Sequence, residues 1–434
     1  MERRESSEFG WWVIRVGGAL AALSVGTILH LVRERGVPVW NSLWAEDGRV
    51  FLTGGLQDFT GTFFAQNGGY MHAVPRVIAG IAALLPVRDA AAAMAVCSAA
   101  VIALIAAFVY AASSEVLESR SARLALAATV VVVPVSGHEL LANATNLHFY
   151  LLFACFWALL WQADTAPALG ARGIVVVATA LSDPISALFL PLAIVAPVYR
   201  RSPRALAVSA LFLAALLAQF AVMAGGARPE RNWGFRLGAL PDVFSLRVTG
   251  GLLVGDRFLG DAWTAYGRVF AYGAFLVVAI VVVLLLVRSD RRTIAFALIA
   301  LAYAGLFFCV QLVGRGTGGI DPEVHGARLD AARYVLVPFL LLTATIVALV
   351  DRGHARRRAS SGWTWAWRAA LVWLVVLLAV NYSVTNDRSR GPRWDRELSQ
   401  ARRGCTAGGT RSVRVLVAPS PPRVWYASVP CDRV

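Results

Sequence analysis

No lysine occurs anywhere in this sequence; all 41 basic residues among its 434 are arginine. The absence excludes a Walker-type phosphate loop, which needs its lysine, and any Schiff-base chemistry. Charge is scarce too. Only 15% of residues are charged against 58% hydrophobic, and a mean hydropathy of +0.63 excludes an ordinary water-soluble domain. The net charge of +15 invites a nucleic-acid partner, yet no basic stripe with interleaved aromatics lies on a soluble stretch, so nucleic acid is excluded as well.

What the sequence has in quantity is apolar runs. Residues 11–32, 90–112, 205–224, 269–287, 293–313, 334–350 and 367–380 approach the roughly 20 apolar residues that cross about 30 Å of hydrocarbon. The first run is too long for a secretory signal and is followed by further spans, so it reads as an anchored helix. The fold class expected is therefore an all-α polytopic membrane protein. Arginine clusters at 200–204, 288–292 and 352–358, with Arg3 and Arg4, read as cytoplasmic loops, which puts the N-terminus inside.

With that orientation the first extracytoplasmic loop covers about 33–89. Residues 74–85, bracketed by Pro75 and Pro86, span only about 18 Å as a helix, too little to cross, and read as a juxtamembrane helix. Residues 173–199 then form two half-spans meeting outside at Ser182-Asp183-Pro184, because proline lacks a donor and disfavours helix just before it. Residues 136–146, 227–266, 314–333 and the tail after Asn381 fall outside, for about eleven spans in all. A rival reading lets 74–85 cross and makes 173–199 one tilted helix; it also gives about eleven. Domain limits are 1–383 for the membrane domain and 384–434 for a small extracytoplasmic segment. That tail holds two strand-like pieces around Ser420-Pro421-Pro422, flanked by Cys405 and Cys431. Outside the cell this pair should be oxidised, whereas Cys97, Cys155 and Cys309 lie in spans and are inert.

The stretch WAEDGRVF, 44–51, sets Glu46 beside Asp47 just past the first span. In the plainest reading the pair is solvated or opens a surface helix. The same outer face, however, carries Trp40, Trp44, Asn67, Tyr70, His72, Arg76, His138, Asn143, Asn146, His148, Asp183, Arg315, Arg328, Arg333 and Tyr334. Guanidinium forks for a phosphate, aromatic faces for a sugar or isoprenoid and a carboxylate for a hydroxyl proton are together what a polyprenyl-phosphate sugar requires. Bland roles stand beside these: Asn143, Asn146 and Asp183 as helix caps, His138 and His148 as interfacial hydrogen-bonders, Arg228 and Arg231 as lipid-headgroup contacts.

An acidic pair opening the first outer loop, a juxtamembrane helix after it, a Pro-broken hairpin in mid-chain and Arg333-Tyr334 at a late span resemble the GT-C superfamily of membrane glycosyltransferases. The resemblance covers roughly the first 350 residues as topology and only short pieces as sequence. It implies a GT-C-like bundle in a bacterial plasma membrane, with the C-terminal segment as an extracytoplasmic β-rich cap. It also implies a polyprenyl-phosphate sugar as donor and a glycan, lipid or protein acceptor. Asp47, with Phe51 four residues on, matches the spacing of the family's catalytic base; Glu46 would orient the acceptor or, with Asp47, ligate Mg²⁺ or Mn²⁺. Arg76, Arg333, Arg315, Arg328 and Tyr334 would take the donor phosphate, and Tyr70, His72, Asn146, His148 and Asp183 would contact substrate. Where relatives often carry Lys-Gly-Pro this chain has Asp183-Pro184, so a lysine's phosphate contact does not transfer. A lipid-linked-sugar transporter or a non-catalytic membrane subunit stays open, because fold does not fix function.

Overall fold

A computed structural model describes residues 2–135, 139–162, 165–226, 234–325, 331–356, 361–406, 410–420 and 424–434. His138, Arg228, Arg231 and Arg328, all named from the sequence, lie outside the described residues.

Five helices are long and apolar enough to cross a membrane: Val87–Glu115, Pro203–Ala224, Asp256–Leu286, Arg291–Arg315 and Arg333–Gly353. The chain is thus a multi-pass helical membrane protein. Shorter apolar helices, among them Val16–Leu31, Leu147–Leu160, Ala166–Ala180 and Thr364–Val380, pack beside them. Arg333–Gly353 is the inner column, since 83% of its most apolar window is buried, against 22% for Asp256–Leu286.

Helices start where short polar residues supply the missing acceptors. Ser119, Thr165 and Ser202 accept the backbone N–H of Ala122, Ala168 and Ala205, and Asp290 accepts those of Arg292 and Thr293, capping the helices that open at Arg120, Ala166, Pro203 and Arg291. At the end of the bundle holding Ser119, Asp351 ties the last turns of Arg333–Arg356 to the 118–119 loop. It accepts from the Glu118 and Ser119 N–H groups at 2.6 and 3.2 Å and from the Ser119 hydroxyl at 2.5 Å.

Residues 173–199 are not one tilted helix, as the rival reading had it. The chain breaks at Asp183, whose backbone is extended and whose carboxylate accepts the Ile185 N–H at 2.9 Å, with Pro184 opening the next turn. Ala166–Ala180 runs back along Leu147–Leu160, where the Thr179 hydroxyl donates to the Leu151 carbonyl and Arg172 to that of Ala158. Ala73–Ala83 is a helix of 11 residues, as the two prolines suggested.

The tail forms a helix, Trp394–Thr406, which the sequence reading missed, and an antiparallel hairpin of Ser412–Val417 with Trp425–Pro430. Cys405 and Cys431 are disulfide-bonded, and closing a loop of this length stabilises by roughly 3 kcal/mol in the chain-entropy account. The tail does not stand apart. Trp394, Leu398, Val415, Val417, Ala427 and Val429 are buried in the same core as the membrane helices. Its backbone also docks on the first loop, Ala418 pairing with Leu43 and Ala45, while a Cβ at Gly48 would come within 2.8 Å of Val417.

Candidate functional site

At the end of the bundle opposite Asp351, four pieces of chain converge: the first loop, the start of Leu147–Leu160, the turn at Asp183 and the segment joining Arg315 to Arg333. They enclose a cavity of about 260 Å³. Of the residues expected from the sequence, Glu46, Tyr70, His72, Asn146, His148, Asp183, Arg315, Arg333 and Tyr334 line it.

Asp47 and Arg76 do not, and both expectations need correcting. Asp47 is 1% exposed and turned into the 144–145 backbone: it accepts from the Ala144 N–H at 2.9 Å, the Thr145 N–H at 2.8 Å and the Thr145 hydroxyl at 2.5 Å. Burial pushes its carboxyl up to about 6 against those hydrogen bonds and the charge of Arg388. It anchors the loop and is not placed as a base. With both its oxygens engaged, the adjacent acids form no ligand pair, and the described residues hold no cluster of three metal-ligating side chains. Arg76 lies over the Phe51 ring, 5.2 Å from its centroid, and donates to the Ala65 carbonyl, so it packs the loop instead of reaching a phosphate. Phe51 is core, fully buried against His72.

The backbone around the cavity is strained. Ala45, Ala142 and Ala331 hold φ of 26°, 43° and 56°, costing on the order of 1–3 kcal/mol each. Each flanks a cavity segment, and surrounding contacts hold it. The chief one is Arg388, 2% exposed, which donates to the carbonyls of Val39, Ser42, Leu141 and Ala142 and to the Ser42 hydroxyl, at 2.7–3.3 Å. One tail guanidinium thereby fixes the chain on both sides of Asp47.

One wall of the cavity is cationic. Arg333 pairs with Glu139, lies 4.8 Å over the Tyr334 ring and feels the charge of Glu46. Arg315 lies 6.0 Å from the Tyr70 ring centre and pairs with no carboxylate among the described residues. The opposite wall is aromatic and imidazole-rich. Tyr70 stacks on His72 at 4.3 Å, and His72 meets His148 edge-on at 5.5 Å. His148 Nδ1 is 2.6 Å from an Asp183 carboxylate oxygen. Burial, reinforced by His148, holds His72 well below the ordinary histidine range, so it is neutral. Burial likewise raises the Tyr70 hydroxyl, so it stays protonated. Asn146 donates to the Glu139 carbonyl and Asn143 accepts the Asn146 N–H in the turn before Leu147–Leu160, so neither side chain caps a backbone N–H of that helix, the role the plain reading had expected of both.

No family model, no curated protein and no solved structure matches this chain. Its chemistry rests on the geometry alone.

One wall residue escaped the sequence reading. Gln311, 1% exposed and lining the cavity, has neither amide atom hydrogen-bonded among the described residues, and His72 Nδ1 is equally without a partner among them. Buried polar atoms left in this state cost about 1–3 kcal/mol each, and at a cavity wall they are groups that a bound molecule can satisfy. The available signal was a lone amide inside the apolar run Phe307–Val313.

Proposed function

We propose that the protein is a GT-C-type membrane glycosyltransferase that moves a sugar from a polyprenyl-phosphate donor to an acceptor hydroxyl, with inversion, at the extracytoplasmic face of a bacterial plasma membrane. The observation that carries this reading is the pairing, in one cavity, of two guanidinium groups with buried Gln311 and His72 atoms that lack partners among the described residues. A phosphate and a polyhydroxylated ring are what such a wall would satisfy.

Orientation follows from charge. Arg120, Arg123, Arg288, Arg291, Arg292 and Arg352 sit toward the end opposite the cavity, where arginine-rich loops face the cytoplasm. On this reading about eleven helices cross, the N-terminus is cytoplasmic, and cavity and tail are extracytoplasmic. Arg315 and Arg333 neutralise the departing polyprenyl phosphate. Glu46, the member of the acidic pair that faces the cavity, sets negative charge against the positive charge that builds on the sugar ring. Tyr70, Tyr334 and Phe149 offer ring faces to the sugar.

The test is turnover of a labelled polyprenyl-phosphate sugar by protein in lipid nanodiscs, with an alcohol acceptor. Released polyprenyl phosphate is expected, falling about a hundredfold or more in Glu46→Gln and in Arg333→Met. Vesicle experiments in which the intact lipid crosses the bilayer with no release would replace the enzyme with a flippase.

A further inference from the structure

We propose that His148, aligned by Asp183, is the base that takes the proton of the acceptor hydroxyl. The proposal rests on the glycosyl-transfer reading above and adds the group that reading leaves unassigned.

Asp183 is fixed before it meets the histidine. One carboxylate oxygen accepts the Ile185 N–H at 2.9 Å, and the Ser186 hydroxyl closes the same turn on the Asp183 carbonyl at 2.6 Å. The other oxygen faces His148 Nδ1 at 2.6 Å, and both side chains are at most 5% exposed. A carboxylate oxygen accepts, so the shared proton sits on Nδ1 and the lone pair on Nε2. Phe149 packs on the His148 ring at 4.1 Å, and His72 stands perpendicular to it, which together hold its plane. His148 lines the cavity, and Nε2 has no protein partner among the described residues. A base within the cavity, oriented by a carboxylate behind it, is the arrangement that hydroxyl activation uses in unrelated enzymes.

The other candidates are engaged elsewhere. Asp47 is sealed by three donors, Glu139 is paired with Arg333, and Glu46 faces the same guanidinium. His72 gives its Nε2 proton to the Asn67 carbonyl at 3.0 Å and keeps its Nδ1 lone pair, but burial holds it well below the ordinary histidine range and a carbonyl stands behind it where His148 has a carboxylate, so it is the weaker proton acceptor. In the step itself the acceptor O–H bond breaks and its proton moves to Nε2. The oxygen forms the new bond to the anomeric carbon as the carbon–oxygen bond to phosphate breaks, and polyprenyl phosphate leaves with that electron pair. The imidazolium, stabilised by Asp183, then returns its proton to water.

In nanodiscs with labelled donor, His148→Ala should lower kcat about a hundredfold while the donor KM stays within about threefold. Added imidazole should restore about a tenth or more of the lost turnover. Wild-type turnover in His148→Ala, or loss that imidazole leaves untouched, overturns the proposal. Because a protein inactive with every donor would count against glycosyl transfer and not against the pair, a second measurement needs no donor. Diethyl pyrocarbonate labelling, read peptide by peptide, should modify His148 of the wild type and do so about tenfold more slowly in Asp183→Asn. An unreactive His148, or one indifferent to Asp183→Asn, overturns it.

Discussion

Asp351 at one end of the bundle and the cavity wall at the other treat their buried polar groups differently. At one end Asp351 receives three hydrogen bonds from the 118–119 loop, and Arg352 donates to the Glu115 and Val116 carbonyls and pairs with Glu118. At the other, among the described residues, Gln311 and His72 Nδ1 stand buried without partners and Arg315 faces the cavity without a carboxylate. A satisfied cluster holds helices together. An unsatisfied one at a cavity wall is open to completion by a bound molecule. Arg388, close behind the cavity, belongs by this measure with the first kind.

The largest way to test that division is Arg388→Met. It strands four carbonyls and leaves Glu34 and Asp47 without their cation, so about 3–5 kcal/mol of stability should be lost, read as thermal unfolding in detergent. A small shift would mean the tail merely rests on the loop.

Next comes pH. Burial raises Asp47 to about 6 and Glu34 to about 7, so the folded state binds protons more tightly than the unfolded chain. Stability should therefore fall as pH rises from about 4 to about 7 and level off above, by on the order of 3 kcal/mol per group. Thermal midpoints between pH 8 and 5 check the sign, and Glu34→Gln should remove its share of the slope.

Asp351→Ala strands two N–H groups and a hydroxyl and should cost about 1–3 kcal/mol while leaving turnover per folded molecule unchanged. The smallest and sharpest effect is Gln311→Leu. With no partner to lose, the ligand-free protein should keep or slightly gain stability, yet substrate KM should rise about tenfold, the equivalent of one lost hydrogen bond to a sugar. Lost stability in Gln311→Leu would erase the contrast between the ends.

Much of the fold was readable from one-dimensional patterns. Apolar runs bounded by arginine fix helices because hydrocarbon tolerates neither charge nor unpaired backbone, and Asp183-Pro184 marks a chain break by local sterics alone. Strand-like pieces in the tail were visible for the same local reason. The helix Trp394–Thr406 was not, because it is polar, and the sequence does not say which of its faces packs.

The site divides differently. The sequence by itself determined the chemical inventory, whereas the gathering of carboxylates, guanidinium groups and imidazoles at one end was the outcome of only one of the two span orders it left open. Which member of an adjacent pair meets the cavity depends on backbone rotation over one residue, and that is set by distant contacts. The left-handed Ala45, the docking of Ala418 and the N–H groups of Ala144 and Thr145 turn Asp47 inward and Glu46 toward the cavity. Only the tertiary structure could decide that, or bring Asp183 behind His148 across 35 positions, because hydrogen bonds act over about 3 Å and sequence records no distance between segments.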